Sequence, residues 1–329
     1  ARERIFYNGL GGFTPDGREY VITLEPGKST PAPWVNVIAS PYIGTVVSEC
    51  GSAYTWVDNA HEFRLTTWHN DPLSDSSGET FYIRDEDSGV FWSPTPLPTG
   101  GQSGYVCRHG FGYSVFEHYQ AGISSELYTY VAMDAPVKFM VIKLHNHSRR
   151  TRRLSLTGYW ELVLGEWRHA NLMHIVTEAD PHSGALFARN AYGREYAKRI
   201  VFAKVSERER SVTGSRTEFI GRNGSLSSPA AMHRKRLSGK TGAGFDPCAA
   251  IQTQIELAAG QEREIVFIFG AAHSTDEAQH FIQQYGGLSG ARQALEAVWK
   301  YWNHALGAVH VETPDPALDV LINGWLIYQ

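Results

Sequence analysis

The sequence predicts a mainly β fold, a large antiparallel β-sandwich, and three observations support this prediction. About a dozen short segments before Gly270 are rich in β-branched and aromatic residues, and many alternate apolar with polar positions. Gly, Pro, Asp and Asn separate these segments, with no helical period between them. A chain of 329 residues, 42% hydrophobic and 19% charged, is large enough for one big β domain with its own core. Strands without crossover helices pair antiparallel, so two packed sheets are expected.

The predicted strands follow one another from residue 18 to residue 272. Two of them, 137–146 and 152–164, are separated by a polar turn and are predicted to pair as a hairpin, with RRTRR (Arg149 to Arg153) at its solvated tip. The predicted strands are REYVITL, VNVIAS, GTVVSE, FYIRD, GVFWS, SSELYTYVAM, VKFMVIKLHN, RRLSLTGYWELVL, ALFARN, RIVFAKV, AAIQTQIEL and REIVFIFGAA.

The hydrophobic period changes after Ala272. STDEAQHFIQQYGG offers Ser274 or Thr275 as N-cap, acidic residues in its first turn and a stop at Gly286–Gly287. SGARQALEAVWKYWNHALG follows, with apolar residues spaced three and four apart. Residues 274–307 are therefore predicted to form a helical linker.

A third amphipathic helix is predicted from PDPALDVLINGWLIYQ, after the extended segment GAVHVET. No cap or glycine ends this helix before Gln329, so we expect its apolar stripe to pack against helices of a domain that continues beyond residue 329. The alternative is that the helix docks back on the sandwich. The stripe consists of Leu318, Leu321, Ile322, Trp325 and Leu326.

Composition and charge exclude several classes of partner. A formal net charge of −4 with dispersed Lys and Arg gives no basic surface for nucleic acid or an anionic membrane. Three scattered cysteines, Cys50, Cys107 and Cys248, are too few for a disulfide framework or a cysteine-based zinc site, which favours a reducing, cytoplasmic setting. The sequence has no run of roughly 18 apolar residues and no signal-peptide core, so neither a membrane span nor export is predicted.

The stretch from Tyr54 to Glu117 crowds aromatic rings among basic and amide side chains. Flat apolar faces beside fixed hydrogen-bond donors suit a ring-shaped ligand covered with hydroxyl groups. The alternative is that the rings pack a β core and the charges line its solvated edge. The side chains concerned are Tyr54, Trp56, Trp68, Tyr82, Trp92, Tyr113, His61, Arg64, His69, Arg84, Arg108 and His109.

A series of motifs covers essentially the whole chain: NGLGGFTPDGREYVI, TPAPWVNVIASP, SECGSAYTWVDNAHEFRLT, NDPLSDSSGETFYIRDEDSGVFWSPTPLP, CRHGFGYSVFEH, LTGYWELVLGE, GFDPCAAIQ and TPDPALDVLINGWLIYQ. In number and order they resemble the N-terminal domain of the inverting phosphorylases related to cellobiose phosphorylase. The resemblance is greatest to the phosphorylase-like module of cyclic β-1,2-glucan synthases.

The resemblance implies a galactose mutarotase-like supersandwich over residues 1–272, a helical linker over 273–312 and the first helix of an (α/α)6 barrel over 313–329. That family holds its catalytic Asp and its phosphate site inside the barrel, and no residue here matches either. The resemblance therefore implies no catalytic residue and no cofactor in this chain, inorganic phosphate being a co-substrate of the complete enzyme. The chain alone is expected to be catalytically silent.

The resemblance also implies substrate contacts from two loops. FRLTTWHNDP matches an arginine-rich, aromatic loop near the active-site mouth, and the CRHG strand end recurs with it. GEWRHANLMH is shorter than its counterpart in cellobiose phosphorylase-like members, which favours another linkage, such as β-1,2. The alternative for each residue is loop packing or a surface ion pair. The implied substrate-binding residues are Arg64, Trp68, His69, Arg108, His109, Arg168, His169, Asn171 and His174.

Other candidate motifs indicate structure rather than chemistry. RDEDSG around Asp87 has the composition of a hairpin turn. Glu161 lies in an apolar strand, where a carboxylate must be paired, so an Arg partner is expected. GLGGF lacks the Lys-Ser/Thr ending of a phosphate loop. His145 and His147 share a strand face without a zinc-site pattern, so no metal is predicted.

Three functional hypotheses follow. The first is a non-catalytic N-terminal domain of a glycoside phosphorylase or glycosyltransferase module acting on β-linked glucans, with a C-terminal (α/α)6 domain on the same polypeptide. The second is a stand-alone carbohydrate-binding sandwich without chemistry. The third is a scaffold for a homodimer, which is common in the family. The family's cyclic glucan synthases are membrane-associated, so the resemblance also allows an inner-membrane location for the parent protein.

Overall fold

A computed structural model of the chain describes residues 3–328, so Gln329, at the end of the last predicted helix, lies outside the described residues. The strands are β1 (Gly11–Phe13), β2 (Glu19–Leu24), β3 (Val35–Ala39), β4 (Ile43–Ser48), β5 (Ala53–Val57), β6 (Arg64–Thr66), β7 (Glu79–Asp85), β8 (Phe91–Trp92), β9 (Tyr105–Gly110), β10 (Tyr113–Gln120), β11 (Ile123–Val131), β12 (Val137–Asn146), β13 (Arg152–Gly165), β14 (Ile175–Ala179), β15 (Leu186–Asn190), β16 (Ile200–Val205), β17 (Arg210–Ser215), β18 (Pro247–Leu257) and β19 (Glu262–Ala272).

Helices are few and follow the strands for the most part. The α-helices are α1 (Arg168–Asn171), α2 (Arg216–Ile220), α3 (Thr275–Tyr285), α4 (Leu288–Leu306), α5 (Pro316–Val320) and α6 (Leu326–Tyr328), with a π-helical segment at Leu321–Trp325 and 3-10 turns at Leu172–His174, Arg194–Tyr196 and Ala230–His233. Within residues 3–328, no helix combines the length and the apolar character needed to cross a membrane.

Two large antiparallel sheets form the predicted sandwich, which confirms the mainly β fold. The ten-stranded sheet has the order β1-β2-β9-β10-β11-β12-β19-β16-β15-β14. The nine-stranded sheet has the order β17-β18-β13-β6-β5-β4-β3, with β7 paired to β13 and β8. Alternation shows why these residues form strands: β3 reads exposed-buried-exposed-buried-exposed, with Asn36 and Ile38 turned inward. All twelve predicted strand segments lie in strands of these sheets.

The predicted hairpin between 137–146 and 152–164 is wrong. β12 pairs with β11 and β19, whereas β13 pairs with β18, β6 and β7, so the chain crosses between the sheets here. Asn146 fixes this crossing, because its Nδ2 donates to the carbonyls of Arg150, Leu257 and Ala258 at 2.8, 3.0 and 3.0 Å. Both strands are buried along nearly their whole length, so local alternation could not choose their partners.

The tip of this crossing is also less solvated than predicted. Arg152 is buried, and its Nη2 donates to Asp85 Oδ2 at 2.9 Å while Nη1 donates to the Ala121 carbonyl at 2.6 Å. The other three arginines of the run, Arg149, Arg150 and Arg153, are exposed. Arg152 therefore fastens the crossing to the RDEDSG turn, which forms between β7 and β8 as predicted.

The space between the sheets holds the main core. Trp160 stacks on Phe269 at 5.3 Å, and Phe81 meets Phe267 edge-on at 5.4 Å. Burying each such side chain contributes roughly 1.5–3 kcal/mol. An ion pair joins the two sheets inside this core, since Lys138 Nζ on β12 donates to Glu79 Oε2 on β7 at 2.6 Å.

The two helices predicted within residues 274–307 form as α3 and α4, and they cover the outer face of the ten-stranded sheet. Ser274 caps α3 by accepting a hydrogen bond from the Glu277 amide, the capping geometry expected from the sequence. Ile282 and Val298 are buried members of a second core between the helices and this sheet. The Tyr130 hydroxyl, on β11, donates to the Ala291 carbonyl of α4 at 2.7 Å and fixes the helix in place.

The last helix docks partly on the sandwich, as the alternative reading allowed. Trp325 Nε1 donates to the Gly17 carbonyl at 2.8 Å, and the Tyr328 hydroxyl donates to Asn36 Oδ1 at 2.7 Å. Leu326 and Ile327 remain 64% and 58% exposed. The predicted single stripe is therefore divided, because Trp325 is 9% exposed and packs on the sandwich while Leu326 stays uncovered, and the π-helical segment at Leu321–Trp325 interrupts the α-helical period.

Candidate functional site

The outer face of β4 to β6 carries a row of aromatic rings. Trp56 lies flat over Gly44 of the neighbouring strand, where an added Cβ atom would lie 2.2 Å from the indole, so only glycine fits there. The Tyr54 ring lies 5.4 Å from Trp56 and stacks on Trp68 at 5.2 Å. Tyr54 is 8% exposed and Trp68 is 44% exposed, so a fixed, buried ring supports an exposed one.

A cavity of about 440 Å³ opens beside this row, and we call it the first cavity. Its size lies within the range of small-molecule sites. Val35, Val37, Tyr54 and Trp68 give it an apolar side. The loop 70–76 gives it a polar side of amide, hydroxyl and carboxylate groups.

Two carboxylates shape that polar side. Asp75 Oδ2 accepts a hydrogen bond from Ser48 Oγ at 2.5 Å, and burial raises the pKa of Asp75. Asp71 accepts from Ser74 Oγ at 2.5 Å and from the Leu73 amide at 3.0 Å, and these hydrogen bonds lower its pKa. Asp71 is therefore an ionised acceptor at neutral pH, while Asp75 anchors the loop to β4.

Arg64 lies at one end of the aromatic row, between two indoles. Its guanidinium carbon is 5.4 Å from the Trp68 ring and 5.9 Å from the Trp167 ring. Arg64 Nε donates to the Ala60 carbonyl at 3.0 Å and Nη1 to the Glu166 carbonyl at 3.4 Å. Over residues 3–328 no carboxylate pairs with this guanidinium, so part of its fork can donate to a ligand.

Arg168, a predicted substrate-binding residue, is held in an ion-pair network instead. Its Nε lies 3.0 Å from Glu161 Oε1, and its Nη2 donates to Asp246. Arg216 completes the network, with Nε 2.8 Å from Glu161 Oε2 and Nη1 3.2 Å from Asp246. The prediction that Glu161 pairs with an Arg is confirmed twice over. Arg168 thus fastens the loop after β13 to the sheet, and this pairing occupies its charge.

The other predicted contact residues of that loop differ in their exposure and in their hydrogen bonds. His169 is exposed. Asn171 Nδ2 donates to the Trp167 carbonyl at 2.8 Å, and its Oδ1 accepts from Asn190 at 2.8 Å, so it holds the loop's shape. The His174 ring lies 4.2 Å from the Tyr192 ring, which is 74% exposed.

Arg108 and His109 do not lie on this surface, and their predicted substrate contact needs correction. Arg108 faces the helix-covered side, where Nη1 meets Glu19 at 2.5 Å and Nε meets Glu117 at 2.8 Å. His109 is 4% exposed on the opposite side of β9, with its ring nitrogens 2.8 Å from Ser114 Oγ and 3.0 Å from the Trp34 carbonyl. Burial lowers the pKa of His109 to about 4. Both side chains are occupied by protein partners and shielded from ligand.

His69 follows Trp68 in the loop and is exposed, so it stays a predicted contact residue. The predicted substrate-binding residues do not include Asn70, Asp71 and Tyr192. The first two follow His69 directly in HNDP, so the same loop motif could have included them. Tyr192 comes from a distant turn, and no local signal marks it.

Metal-ligand side chains come close together at two places among the described residues, with ligand atoms within 4.8 Å of one another. At the first, the Glu49 carboxylate already accepts from Thr30 Oγ1 and from the Trp34 amide at 2.7 Å, which anchors the segment before β3. At the second, His61 Nδ1 and Nε2 lie 2.9 and 3.2 Å from two carboxylates. The first group is Glu49, Cys50 and Asp75, and the second group is His61, Glu62 and Glu166.

Comparison with known proteins identifies a family that matches most of this chain. Residues 18–288 match the family described as glycosyl hydrolase 94, supersandwich domain. The chain is 37% identical over 327 residues to the cyclic beta-(1,2)-glucan synthase NdvB of Rhizobium meliloti (strain 1021), covering 98% of this chain and 12% of that protein. It is 25% identical over 334 residues to the N,N'-diacetylchitobiose phosphorylase of Vibrio proteolyticus, covering 97% of this chain and 40% of that protein.

Among solved structures, a galactose mutarotase related enzyme from Lactobacillus acidophilus aligns with a TM-score of 0.41 and 10% identity, covering 74% of this chain and 99% of that one. The chain spans 12% and 40% of the lengths of the two relatives named above. These relatives are therefore larger proteins, of which the present chain corresponds to one part.

Proposed function

The chain belongs to the glycosyl hydrolase 94 supersandwich family, and on this basis we propose that it is the non-catalytic sandwich domain of a larger enzyme acting on β-linked glucans. Its role there is to supply substrate contacts beside a C-terminal (α/α)6 domain. The catalytic Asp and the phosphate site belong to that second domain, with inorganic phosphate as co-substrate. The division into residues 1–272, 273–312 and 313–329 is part of this proposal.

The first cavity is the observation that supports substrate contact. The exposed Trp68 ring, held by Tyr54, offers a flat face for the apolar CH face of a sugar ring. Asn70 and Asp71, which line the cavity, offer hydrogen bonds to hydroxyl groups, and the Arg64 guanidinium lies next to the cavity, 5.4 Å from the Trp68 ring. A rigid aromatic face beside a few fixed polar groups is the usual arrangement of a small-ligand site.

We propose a β-1,2-linked glucan as substrate because the glucan synthase relative at 37% identity is named for that linkage. The contact to the second domain is proposed at the exposed side of α6, where Leu326 and Ile327 leave apolar surface uncovered. A homodimer is proposed as a further arrangement, and sedimentation of the chain measures it directly. A strictly monomeric chain would count against dimer contacts within this domain.

A second candidate function is a stand-alone carbohydrate-binding module. It is favoured by the first cavity combining the exposed Trp68 face with the polar loop 70–76. Calorimetric titration of the chain with β-1,2-gluco-oligosaccharides, and with cello-oligosaccharides for comparison, tests both readings. Micromolar binding by the chain alone favours the module, and weak, millimolar binding fits a domain that provides part of a shared site.

Substitution of Trp68 tests the cavity itself. Trp68→Ala removes the stacking face, and we expect roughly a tenfold loss of affinity, about 1.4 kcal/mol. Trp299→Ala is the matched control, because Trp299 is 42% exposed on α4, at the other sheet. Equal affinity of the Trp68→Ala and Trp299→Ala chains for every β-glucan would remove the first cavity as the sugar site.

A further inference from the structure

A second cavity of about 450 Å³ lies on the other side of Arg64. It is lined by residues from three places: Glu62 before β6, the loop after β13 and the turn between β15 and β16. The aromatic and polar groups that matter here are Glu62, Trp167, Asn171, Tyr192, Glu195 and Tyr196.

The aromatic rings of the second cavity are exposed and yet held in place. Trp167 is 60% exposed, and its Nε1 donates to Glu166 Oε1 at 2.6 Å. Tyr192 is 74% exposed and is supported by its ring contact with His174. Large aromatic side chains that are both exposed and oriented are typical of ligand-contact surfaces.

The floor of the second cavity is rigid. The Tyr196 ring stacks on Phe63 at 4.4 Å with an interplanar angle of 5°. Phe63 is 1% exposed, immediately before β6, so Tyr196 is anchored to the sandwich core. Asn171 bridges the loop and the β15 end through its two amide hydrogen bonds. The second cavity is therefore preformed to the same degree as the first.

Arg64 links the two cavities. Its guanidinium carbon is 5.4 Å from Trp68, which lines the first cavity, and 5.9 Å from Trp167, which lines the second. One side chain thus separates two aromatic-lined cavities of similar volume on one surface. A ligand that fills both must be elongated and must pass over the guanidinium.

The charge of the second cavity selects a neutral ligand. Glu62, Glu166 and Glu195 line it, against Arg194 alone among the lining side chains. Carboxylates repel phosphate, sulfate or uronate groups but accept hydrogen bonds from hydroxyl groups. An anionic polysaccharide or a nucleic acid is therefore disfavoured.

We propose that the two cavities bind successive parts of one neutral β-glucan chain that crosses Arg64, so that the domain binds long chains in preference to disaccharides. This inference rests on the proposed function and goes further, because it assigns a second site and a dependence on chain length. A short ligand contacts only the first cavity, whereas a ligand long enough to reach the second cavity gains additional contacts there.

The test is calorimetric titration of the chain with a series of β-1,2-gluco-oligosaccharides, from disaccharide to decasaccharide. We expect affinity to rise at least tenfold along the series and then to level off once both cavities are filled. Tyr192→Ala should weaken binding of the long oligosaccharides roughly tenfold and leave the disaccharide unchanged. Trp68→Ala should weaken binding at every length.

Tyr301→Ala is the matched control for Tyr192→Ala, because Tyr301 is 49% exposed on α4 and far from both cavities in the fold. Affinity that is flat with chain length, or a Tyr192→Ala loss that is equal for disaccharide and decasaccharide, overturns the two-cavity inference while the proposed function stands. Failure of every oligosaccharide to bind overturns both. Because these side chains are exposed, the variants should keep the unfolding midpoint of the unaltered chain, which verifies their folding.

Discussion

Substitution of His109 tests whether this residue affects stability at acid pH or contacts the sugar. The imidazole is 4% exposed and bonded to Ser114 Oγ and the Trp34 carbonyl, and burial lowers its pKa from 6.5 to about 4. As pH falls through 6.5, the unfolded chain takes up a proton at this residue while the folded chain does not. The free energy of unfolding therefore falls as pH drops from about 6.5 toward 4.

The magnitude follows from the pKa difference. At 1.36 kcal/mol for each pKa unit, the full difference is worth about 3 kcal/mol, of which about 2 kcal/mol is lost between pH 7 and pH 4.5. His109→Gln removes this proton uptake from both states. We expect the variant to be less stable than the unaltered chain at pH 7, because the fit around the ring is lost, and the gap to narrow by about 2 kcal/mol at pH 4.5.

Denaturant unfolding at the two pH values, followed by tryptophan fluorescence, measures this gap. The other titrating groups, including His118, whose pKa burial also lowers, are present in both chains and cancel in the difference. His69→Gln is the control, since His69 is exposed and should show no narrowing. Parallel pH profiles for the unaltered chain and His109→Gln would refute the reasoning. A large loss of glucan affinity in His109→Gln at pH 7, with stability intact, would restore its predicted role as a contact residue.

Three further predictions concern the frame around the site. Lys138→Met should cost about 3–5 kcal/mol of unfolding free energy because it leaves the buried Glu79 charge without its cationic partner. The double variant Lys138→Met/Glu79→Leu should recover most of that loss. Thermal unfolding of both variants measures this, and equal losses would contradict it. Arg168→Gln should loosen the loop after β13, since Glu161 keeps one of its two arginines, and faster proteolysis of that loop is the expected readout, with unchanged cleavage as the contrary result. Tyr328→Phe removes a hydroxyl that bonds the sandwich, so amide hydrogen exchange across the last helix should accelerate while the two sheets stay protected.

Much of the fold could be predicted because its signals are local. The Ser274 cap, the acidic first turn of α3 and the turn residues around Asp87 each act within a few positions of the chain. Glu161 could be predicted to pair with an Arg because an unpaired carboxylate in an apolar strand is too costly. The sequence did not say which arginines would arrive, since Arg216 lies 55 positions away and meets Glu161 only through the sheet.

The errors arise where distant segments decide the outcome. The rings and basic side chains between Tyr54 and Glu117 predict a ligand surface, yet the last part of this stretch forms β9 and β10 within the ten-stranded sheet. Arg108 and His109 alternate to opposite sides of β9, and one side would normally face solvent. Arg108 is shielded on the side of β9 that the helices cover, and His109 is shielded on the side that faces the nine-stranded sheet. The elements that shield these two residues are distant from them in sequence.

The placement of the candidate site follows from which sheet faces are already covered. Helices α3 and α4 cover the outer face of the ten-stranded sheet, and residues around Phe219 and Met232 cover the outer face of β7, β13 and β18. The outer face of β3 to β6 keeps Val35, Val37 and Trp68 exposed, at 44%, 42% and 44%. An aromatic ring serves as a sugar platform only when its base is fixed by the sheet and its face is free. In the described part of the chain both conditions are met at Trp68, which is exposed and stacks on Tyr54 of β5. Arg64 lies between this ring and Trp167, which is why substitution of Arg64 should uncouple the two cavities.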